Sequence, residues 1–435
     1  MEILLTIVYT VLFLFIIWKT PFFQIEGLNK KALPVVFILK IAAGILMFLV
    51  YTYYYTDRST ADIFKYFDDS KVMYNALFTH PLDYFQMLFG VDNDSPHFDI
   101  YYHQMNNWYR LYESNLYNDS HTMIRLNALL RLFSFGYYNV HTVFVCFLSL
   151  AGLTGIYKFF MLHLSDKKNI LFVAVFMLPS VLFWGSGVLK ETLLFFGLGM
   201  LLFYSDKIFT KGFSLLSLFW ILIALILLMF LKFYILATIL PLMITYFWVY
   251  KTKMRWVAVR YAIVILVCLI AGLNIHYIFP EHNLLETLTN KQFDFIRLAN
   301  ATNSGSTIEI STLQPTTWSF IIHSPEALYN TLFRPFVFES RSPFILLAGL
   351  ENLLIIFMMM ICIIFSKFKK ENANLFWFCL LFVLITFVLT GLITPVMGAI
   401  VRYKVPALPF LFVMFIVILD KQKLVNKFSF LKKYL

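Results

Sequence analysis

Leu33–Tyr55 reads LPVVFILKIAAGILMFLVYTYYY, with Lys40 as its single charge. Crossing a hydrocarbon core of about 30 Å takes roughly 20 apolar residues in a helix, so this run is a membrane span. Thr56 then opens a stretch of opposite character. Through Ser120 it carries ten Asp/Glu against four Lys/Arg, with no spacer after the apolar run.

Apolar runs recur at about 3–18, 33–55, 139–162, 169–184, 192–204, 213–231, 233–250, 261–279, 343–365, 374–392 and 405–419. With 60% hydrophobic and 14% charged residues, the chain departs far from soluble proteins, which average roughly 25% charged. The first run lacks a basic start and a small-residue cleavage site, and is read as a retained helix. The expected fold is all-α: a polytopic transmembrane bundle of about eleven spans.

Lys and Arg mark the inner side of a membrane. With the N-terminus outside, the short connections at 19–31, 163–169, 205–212, 251–260 and 366–373 are all net positive, as is the tail from 420. The long connections 56–120 and 280–342 are net negative and fall outside. The net charge of +11 therefore reports orientation, with no nucleic-acid partner implied. Cys146, Cys268, Cys362 and Cys379 all lie in apolar runs, which points to neither disulfides nor a cysteine metal site. No internal repeat stands out. The organisation expected is one transmembrane domain, 1–435, with outer loops at 56–138 and 280–342.

The first outer loop is rich in aromatic residues, which favours helices lying at the headgroup level, at 61–78, 82–90 and Met123–Phe135. Asp62, Lys65 and Asp69 share one face of the first of these, and Asp68 sits about 100° round. A carboxylate there could deprotonate an acceptor hydroxyl, and a second could bind a divalent cation. The alternative is a solvated face with Lys65 bridging two aspartates.

Basic residues on outer turns run against the orientation rule. Lys190 and Glu191 close the turn Trp184-Gly185-Ser186-Gly187-Val188-Leu189. Lys232 stands at the next outer turn, and Arg402 and Lys404 at the last. Arg334 and Arg341 flank Pro335-Phe336-Val337-Phe338-Glu339. A phosphate or diphosphate at the outer headgroup level would account for them, since Lys and Arg clamp such groups by charge-assisted hydrogen bonds. Gly185 and Gly187 could add backbone N–H groups at a helix N-terminus. The alternatives are snorkelling to lipid headgroups, or ion pairs such as Lys190 with a loop aspartate.

Glu351 lies well inside its span and is expected to face the bundle and hold a partner, a Tyr or His among the options. Lys40 is expected to snorkel to the inner face. His103, His141, His276 and His323 show no ligand spacing. In the second outer loop, the polar run from Asn300 to Thr307 suits a mobile lid, and 325–333 suits a surface helix that delivers Arg334.

The loop with Asp62, Asp68 and Asp69, followed by Leu178–Glu191, resembles the layout of GT-C type membrane glycosyltransferases, over 33–250. Arg402-Tyr403-Lys404-Val405-Pro406 resembles an ending common in bacterial surface-polysaccharide enzymes. Here the aspartate loop follows the second apolar run, where that family's follows the first. The resemblance implies a polyprenyl-(di)phosphate-linked sugar donor, a glycan or lipid acceptor, and a multi-pass place in a bacterial inner membrane. It implies Asp62, Asp68 or Asp69 as base and Lys190, Lys232, Arg334, Arg402 and Lys404 as phosphate ligands, with Glu191, Glu339 and Glu351 in support. A lipid-linked glycan flippase and a non-catalytic subunit of an envelope complex are the alternatives.

Overall fold

The computed structural model describes residues 1–109, 117–302, 304–340 and 342–428. Asn303 and Arg341 lie outside the described residues. In chain order the first helices are α1 (Glu2–Lys19), α2 (Ala32–Tyr53), α3 (Asp62–Thr79), α4 (Pro81–Phe89), α5 (Asp99–Tyr102), α6 (Ser120–Ser134) and α7 (Tyr138–Met161). Next come α8 (Lys168–Phe172), α9 (Pro179–Trp184), α10 (Lys190–Lys211), α11 (Leu215–Lys251), α12 (Val257–Leu273) and α13 (Leu284–Ala301). The chain closes with α14 (Thr317–Phe333), α15 (Pro343–Ile364), α16 (Ala373–Ile393), α17 (Met397–Tyr403), α18 (Leu408–Ile418) and α19 (Lys421–Lys427). No strand forms among the described residues.

Among the described residues eight helical stretches are long and apolar enough to cross a membrane: α1, α2, α7, α10, α11, α15, Lys370–Ile393 and Met397–Ile418. The sequence suggested about eleven, and the differences have local causes. The run 169–184 is broken: α8 passes into a π-helical turn at Val173–Met177, and Leu178 is extended ahead of Pro179, which starts the six-residue α9. Proline fixes its own φ and disfavours helix in the residue before it. The runs 213–231 and 233–250 are one 37-residue stretch, interrupted at Lys232, where φ is −150° and ψ is 81°. At about 1.5 Å per residue that stretch measures roughly 55 Å, well beyond a single crossing. The run 261–279 forms only the 17-residue α12 before a 3-10 turn at Ile275–Tyr277.

The chain divides into two compact units. The first holds Met1–Glu113, Tyr117–Phe159 and Phe176–Phe233; the second holds Ser114–Leu116, Phe160–Val175 and Tyr234–Leu435.

In the first unit, α7 and α10 approach backbone to backbone. A Cβ on Gly155 would stand 2.4 Å from the Gly199 carbonyl oxygen, and one on Gly199 would stand 1.8 Å from that of Gly152. Small residues allow this contact, which drives helix association where lipid supplies no hydrophobic force. On the other side, Phe13 of α1 stacks on Phe147 of α7 at 4.4 Å and meets Phe37 of α2 edge-on. The helices of the first outer loop are folded against this frame. Arg131 of α6 donates to Ser70 Oγ (2.8 Å) and the Phe67 carbonyl (2.6 Å) of α3, its guanidinium 4.1 Å from the Phe67 ring. At the α6–α7 junction His141 bridges Ser134 Oγ (2.6 Å) and Asn127 Oδ1 (2.7 Å), all three buried. Lys40 is fully buried and lies beside Gly185, so it does not snorkel.

In the second unit, α14 packs closely on α16: a Cβ on Gly391 would stand 2.1 Å from the Ala327 carbonyl oxygen, and Thr331 Oγ1 donates to the Phe387 carbonyl at 2.9 Å. Residues 325–333 are thus the C-terminal half of α14, with Ala327, Asn330 and Thr331 buried and Pro325 and Tyr329 exposed. Gln292 of α13 staples three segments: its amide donates to the Ser311 and Leu392 carbonyls, and its oxygen accepts from Leu313 N–H. The polar run after Ala301 is pinned as well. Ile308 N–H donates to the Pro395 carbonyl and Met397 N–H to that of Ser306, both at 2.8 Å. Two backbone bonds hold this segment where the sequence suggested a mobile lid.

Candidate functional site

The three aspartates of α3 have three different environments. Asp68 forms a two-bond pair with Arg58, both at 2.7 Å, and Arg58 also lies over the Phe64 ring at 4.0 Å. Asp69 is buried, with Oδ1 accepting from Asn106 N–H (2.9 Å) and Oδ2 from Asn107 N–H (2.9 Å) and Asn107 Nδ2 (3.0 Å). Burial pushes the Asp69 carboxyl above its usual range, against the pull of those N–H groups. A carboxylate so fully engaged holds the 99–109 segment to α3. Asp62, at the first position of α3, stays partly exposed with Lys65 4.0 Å away. Of the three, Asp62 and Asp68 are partly exposed and Asp69 is buried.

Two of the turn lysines meet at Asp119, and for Lys190 this is the ion pair with a loop aspartate that the sequence offered as an alternative. Lys190 Nζ stands 2.9 Å from Asp119 Oδ1, and Lys232 Nζ stands 4.0 Å from Asp119 Oδ2. The Lys190 ammonium also lies 5.1 Å from the centre of the Tyr66 ring, and Asp62 and Tyr66 add to the field at it. The Lys190, Asp119 and Lys232 side chains are 11, 18 and 14% exposed. The cluster is therefore enclosed enough to strengthen its electrostatics, yet still open to a ligand.

Asp119 is fixed from both sides. Asn118 Nδ2 donates to the carbonyls of Asn107 (3.0 Å) and Trp108 (2.8 Å). His121 stacks on the Trp108 ring at 3.8 Å and Trp108 on Tyr102 at 4.0 Å. Hydrogen bonds thus link Asp69 to Asn107 and Asn107 to Asn118, the sequence neighbour of the residue that receives the two lysines. Its place before Ser120 reads as an ordinary helix N-cap, which hides its role. Its side chain makes no capping bond.

Lys190 opens α10, and Glu191 beside it is buried in the first helical turn, where a carboxylate suits the helix dipole. The glycines before it have a packing role. A Cβ on Gly187 would stand 2.3 Å from Met47 Sδ, and one on Gly185 would stand 2.4 Å from the Val181 carbonyl oxygen. Ser186 presses on α2 in the same way: its carbonyl would lie 2.5 Å from a Cβ on Gly44, and it accepts from Cys146 Sγ at 3.2 Å. The turn that carries Lys190 is therefore held against α2 and α7.

In the second unit, Arg334 and Glu339 pair through two contacts, Nη2 to Oε1 at 2.7 Å and Nε to Oε2 at 3.2 Å, with Phe336 N–H also donating to Glu339. Lys404 is buried and donates to Asn352 Oδ1 (2.7 Å) and the Thr331 carbonyl (3.2 Å). Glu351, also buried, acts on Lys404 electrostatically. Asn352 in turn donates to the carbonyls of Phe333 and Pro335. Lys404 and Glu351 thus belong to a network that ties the end of α14 to α15 and α17. Arg402, half-buried on α17, is the nearest basic neighbour of Lys404 in sequence.

A second acidic centre also escaped sequence reasoning. Asp83 Oδ2 accepts from Tyr101 OH (2.8 Å) and faces His97 Nε2 (3.0 Å). Desolvation raises its carboxyl, but the bonds from Tyr101 and His97 outweigh it and leave it below its usual range. Among the described residues no group of three or more His, Cys, Asp or Glu side chains gathers to hold a metal ion. No protein-family model, curated protein or solved structure matches the chain.

Proposed function

We propose that this protein transfers or polymerises glycan from a lipid-(di)phosphate-linked sugar at the outer face of a bacterial cytoplasmic membrane. The observation that supports the reading is the convergence of Lys190 and Lys232, from two separate helices, on Asp119 beside Asp62 and Tyr66. Leaving-group departure from a lipid diphosphate builds negative charge on phosphate oxygens, and two fixed ammonium groups at one point stabilise it. Asp62 is the α3 carboxylate with room to accept the proton of an acceptor hydroxyl. Asp69 and Asp68 serve this reading as positioning and surface groups. In this reading the N-terminus and both long acidic loops, 56–120 and 280–342, lie on the donor side.

The test is glycan transfer from a synthetic short-chain prenyl-diphosphate sugar by purified protein, with Asp62→Asn and Lys190→Gln compared at equal folded amounts. Loss of turnover in both supports the assignment; full turnover in both removes it.

A transport reading draws on different observations: helical runs interrupted at Leu178 and Lys232, and Lys40, Glu351 and Lys404 buried in apolar helices. Broken helices and buried ionisable groups are features of transporters. Translocation of a fluorescent lipid-linked glycan across proteoliposomes, without any transfer product, would favour it.

A further inference from the structure

We propose that α14 and the turn after it form a re-entrant segment. The chain enters the outer leaflet along α14, turns at 334–339 near mid-membrane, and is back on the same side at Pro343. The apolar flank of this segment is a contact surface for lipid acyl chains.

Three spans set the depth of the turn. Taken as spans, α15 and Met397–Ile418 begin, and α16 ends, on one side of the membrane. The far ends of the first two are joined by the backbone pairing of Ser366 with Leu419. α15 meets the turn at Gly349 and Asn352. A Cβ on Gly349 would stand 3.1 Å from Val337 N, and Asn352 Nδ2 donates to the Phe333 and Pro335 carbonyls. Those two residues lie about 9 and 14 Å along α15 from Pro343, at about 1.5 Å per residue. Lys404, which donates to the Thr331 carbonyl, lies about 10 Å from Met397 by the same measure. Phe387, whose carbonyl accepts from Thr331, lies about 9 Å from Ile393. All three place Thr331–Val337 within the roughly 15 Å of one hydrocarbon leaflet. The leaflet is the outer one because Lys367, Lys369, Lys370, Lys421 and Lys423 stand at the opposite end.

The hydrogen bonds agree with that depth. Away from water, backbone groups that leave a helix must be met by other protein groups. Here Asn352 takes two carbonyls, Lys404 takes a third, and Glu339 accepts from Phe336 N–H at 2.9 Å. Arg334 and Glu339 neutralise each other inside the turn. A turn in water would need none of these side chains.

The exposed side chains suit lipid. Phe338 is 85% exposed and stacks on Phe336 at 5.2 Å, and Tyr329 is also exposed. Ala327 packs beside Gly391, close to the end of α16, so the exposed Trp318, Ile321 and Ile322 fall at the headgroup level. That belt suits tryptophan.

The experiment is electron paramagnetic resonance of spin labels on the full-length protein in liposomes, in a Cys268→Ser background that removes an exposed thiol. Labels go on Ile321→Cys, Tyr329→Cys and Phe338→Cys. Leu353→Cys on the exposed flank of α15 is the lipid reference, and Lys369→Cys the aqueous one. Labels at 329 and 338 should relax with oxygen as the Leu353→Cys label does and lose relaxation by a water-soluble nickel chelate, with 321 intermediate. Nickel access at 329 or 338 equal to that of Lys369→Cys overturns re-entry and leaves a surface helix.

If the labels disturb folding, wild-type protein in liposomes carrying an acyl-chain diazirine decides. Adducts on peptides from 325–338 after irradiation support immersion. Their absence, with adducts present on α15, overturns it.

Discussion

Lys190 Nζ and Asp119 Oδ1 stand 2.9 Å apart, joining the turn before α10 to the start of α6. Neither position advertises the other in the sequence: one follows a Gly-Ser-Gly turn and the other precedes an ordinary helix. The pair gives the first outer loop a fixed point against the membrane helices.

Lys190→Gln should lower glycan transfer by about a hundredfold or more, the scale seen when one donor to a developing oxyanion is removed. Lys232→Gln should cost less, about tenfold, since Lys232 is the more distant cation. Initial rates with the lipid-diphosphate donor check both, and equal small effects would count against the lysine pair.

Asp69→Ala should destabilise the protein by about 2–4 kcal/mol. It strands two backbone N–H groups and an amide in a buried place. Asp68→Ala should change stability by no more than about 1 kcal/mol, because its pair with Arg58 is largely exposed. Chemical denaturation in detergent, followed by tryptophan fluorescence, measures the difference.

The two shifted carboxyls have opposite pH dependences. Asp69 is raised in the folded state, so the folded protein binds its proton more tightly than the unfolded chain does. Its contribution to stability is full below the unfolded value near 3.8 and is lost as pH rises through the folded value. The stability gap between wild type and Asp69→Asn should therefore narrow as pH rises through that window. Asp83 is lowered, so its contribution is present above the unfolded value near 3.8 and disappears as pH falls through the folded one. Asp83→Asn should flatten the acid side of the stability profile. Melting curves against pH, with each variant subtracted from wild type, read both slopes.

Gly199→Leu should abolish accumulation of folded protein, and Gly199→Ala should already impair it. Even the alanine Cβ would meet the Gly152 carbonyl oxygen at 1.8 Å, which only a shift of α7 against α10 could relieve. Size-exclusion profiles of a fluorescent fusion expose the loss.

Lys404→Met should lower the melting temperature sharply, since it leaves Asn352 and the buried Glu351 without their cation. Melting curves of the variant in detergent check it, and an unchanged melting temperature would remove Lys404 from the scaffold.

The apolar runs, the sign of the loops and the presence of helices around the first outer loop were legible in the sequence, because each depends on local composition and period. Helix in lipid follows from the need to satisfy every backbone group internally, and Leu33–Tyr55 leaves no other choice. Two breaks were legible as well: Pro179 announces its own, and Lys232, the charge between the runs 213–231 and 233–250, marks the departure from helical geometry there. Roles also stayed hidden: Asp62, Asp68 and Asp69 are near-identical in sequence, and only packing separates a surface ion pair, a buried clamp and a partly open carboxylate. Asp69, Asp119 and Lys190 are far apart along the chain, and the contacts that link them exist only once α3, α6 and α10 are folded together. Local chemistry, then, determined that this chain enters a membrane and which loops it leaves charged. Tertiary structure decided which charges meet, because burial and hydrogen-bond partners are set by segments that sequence spacing does not connect.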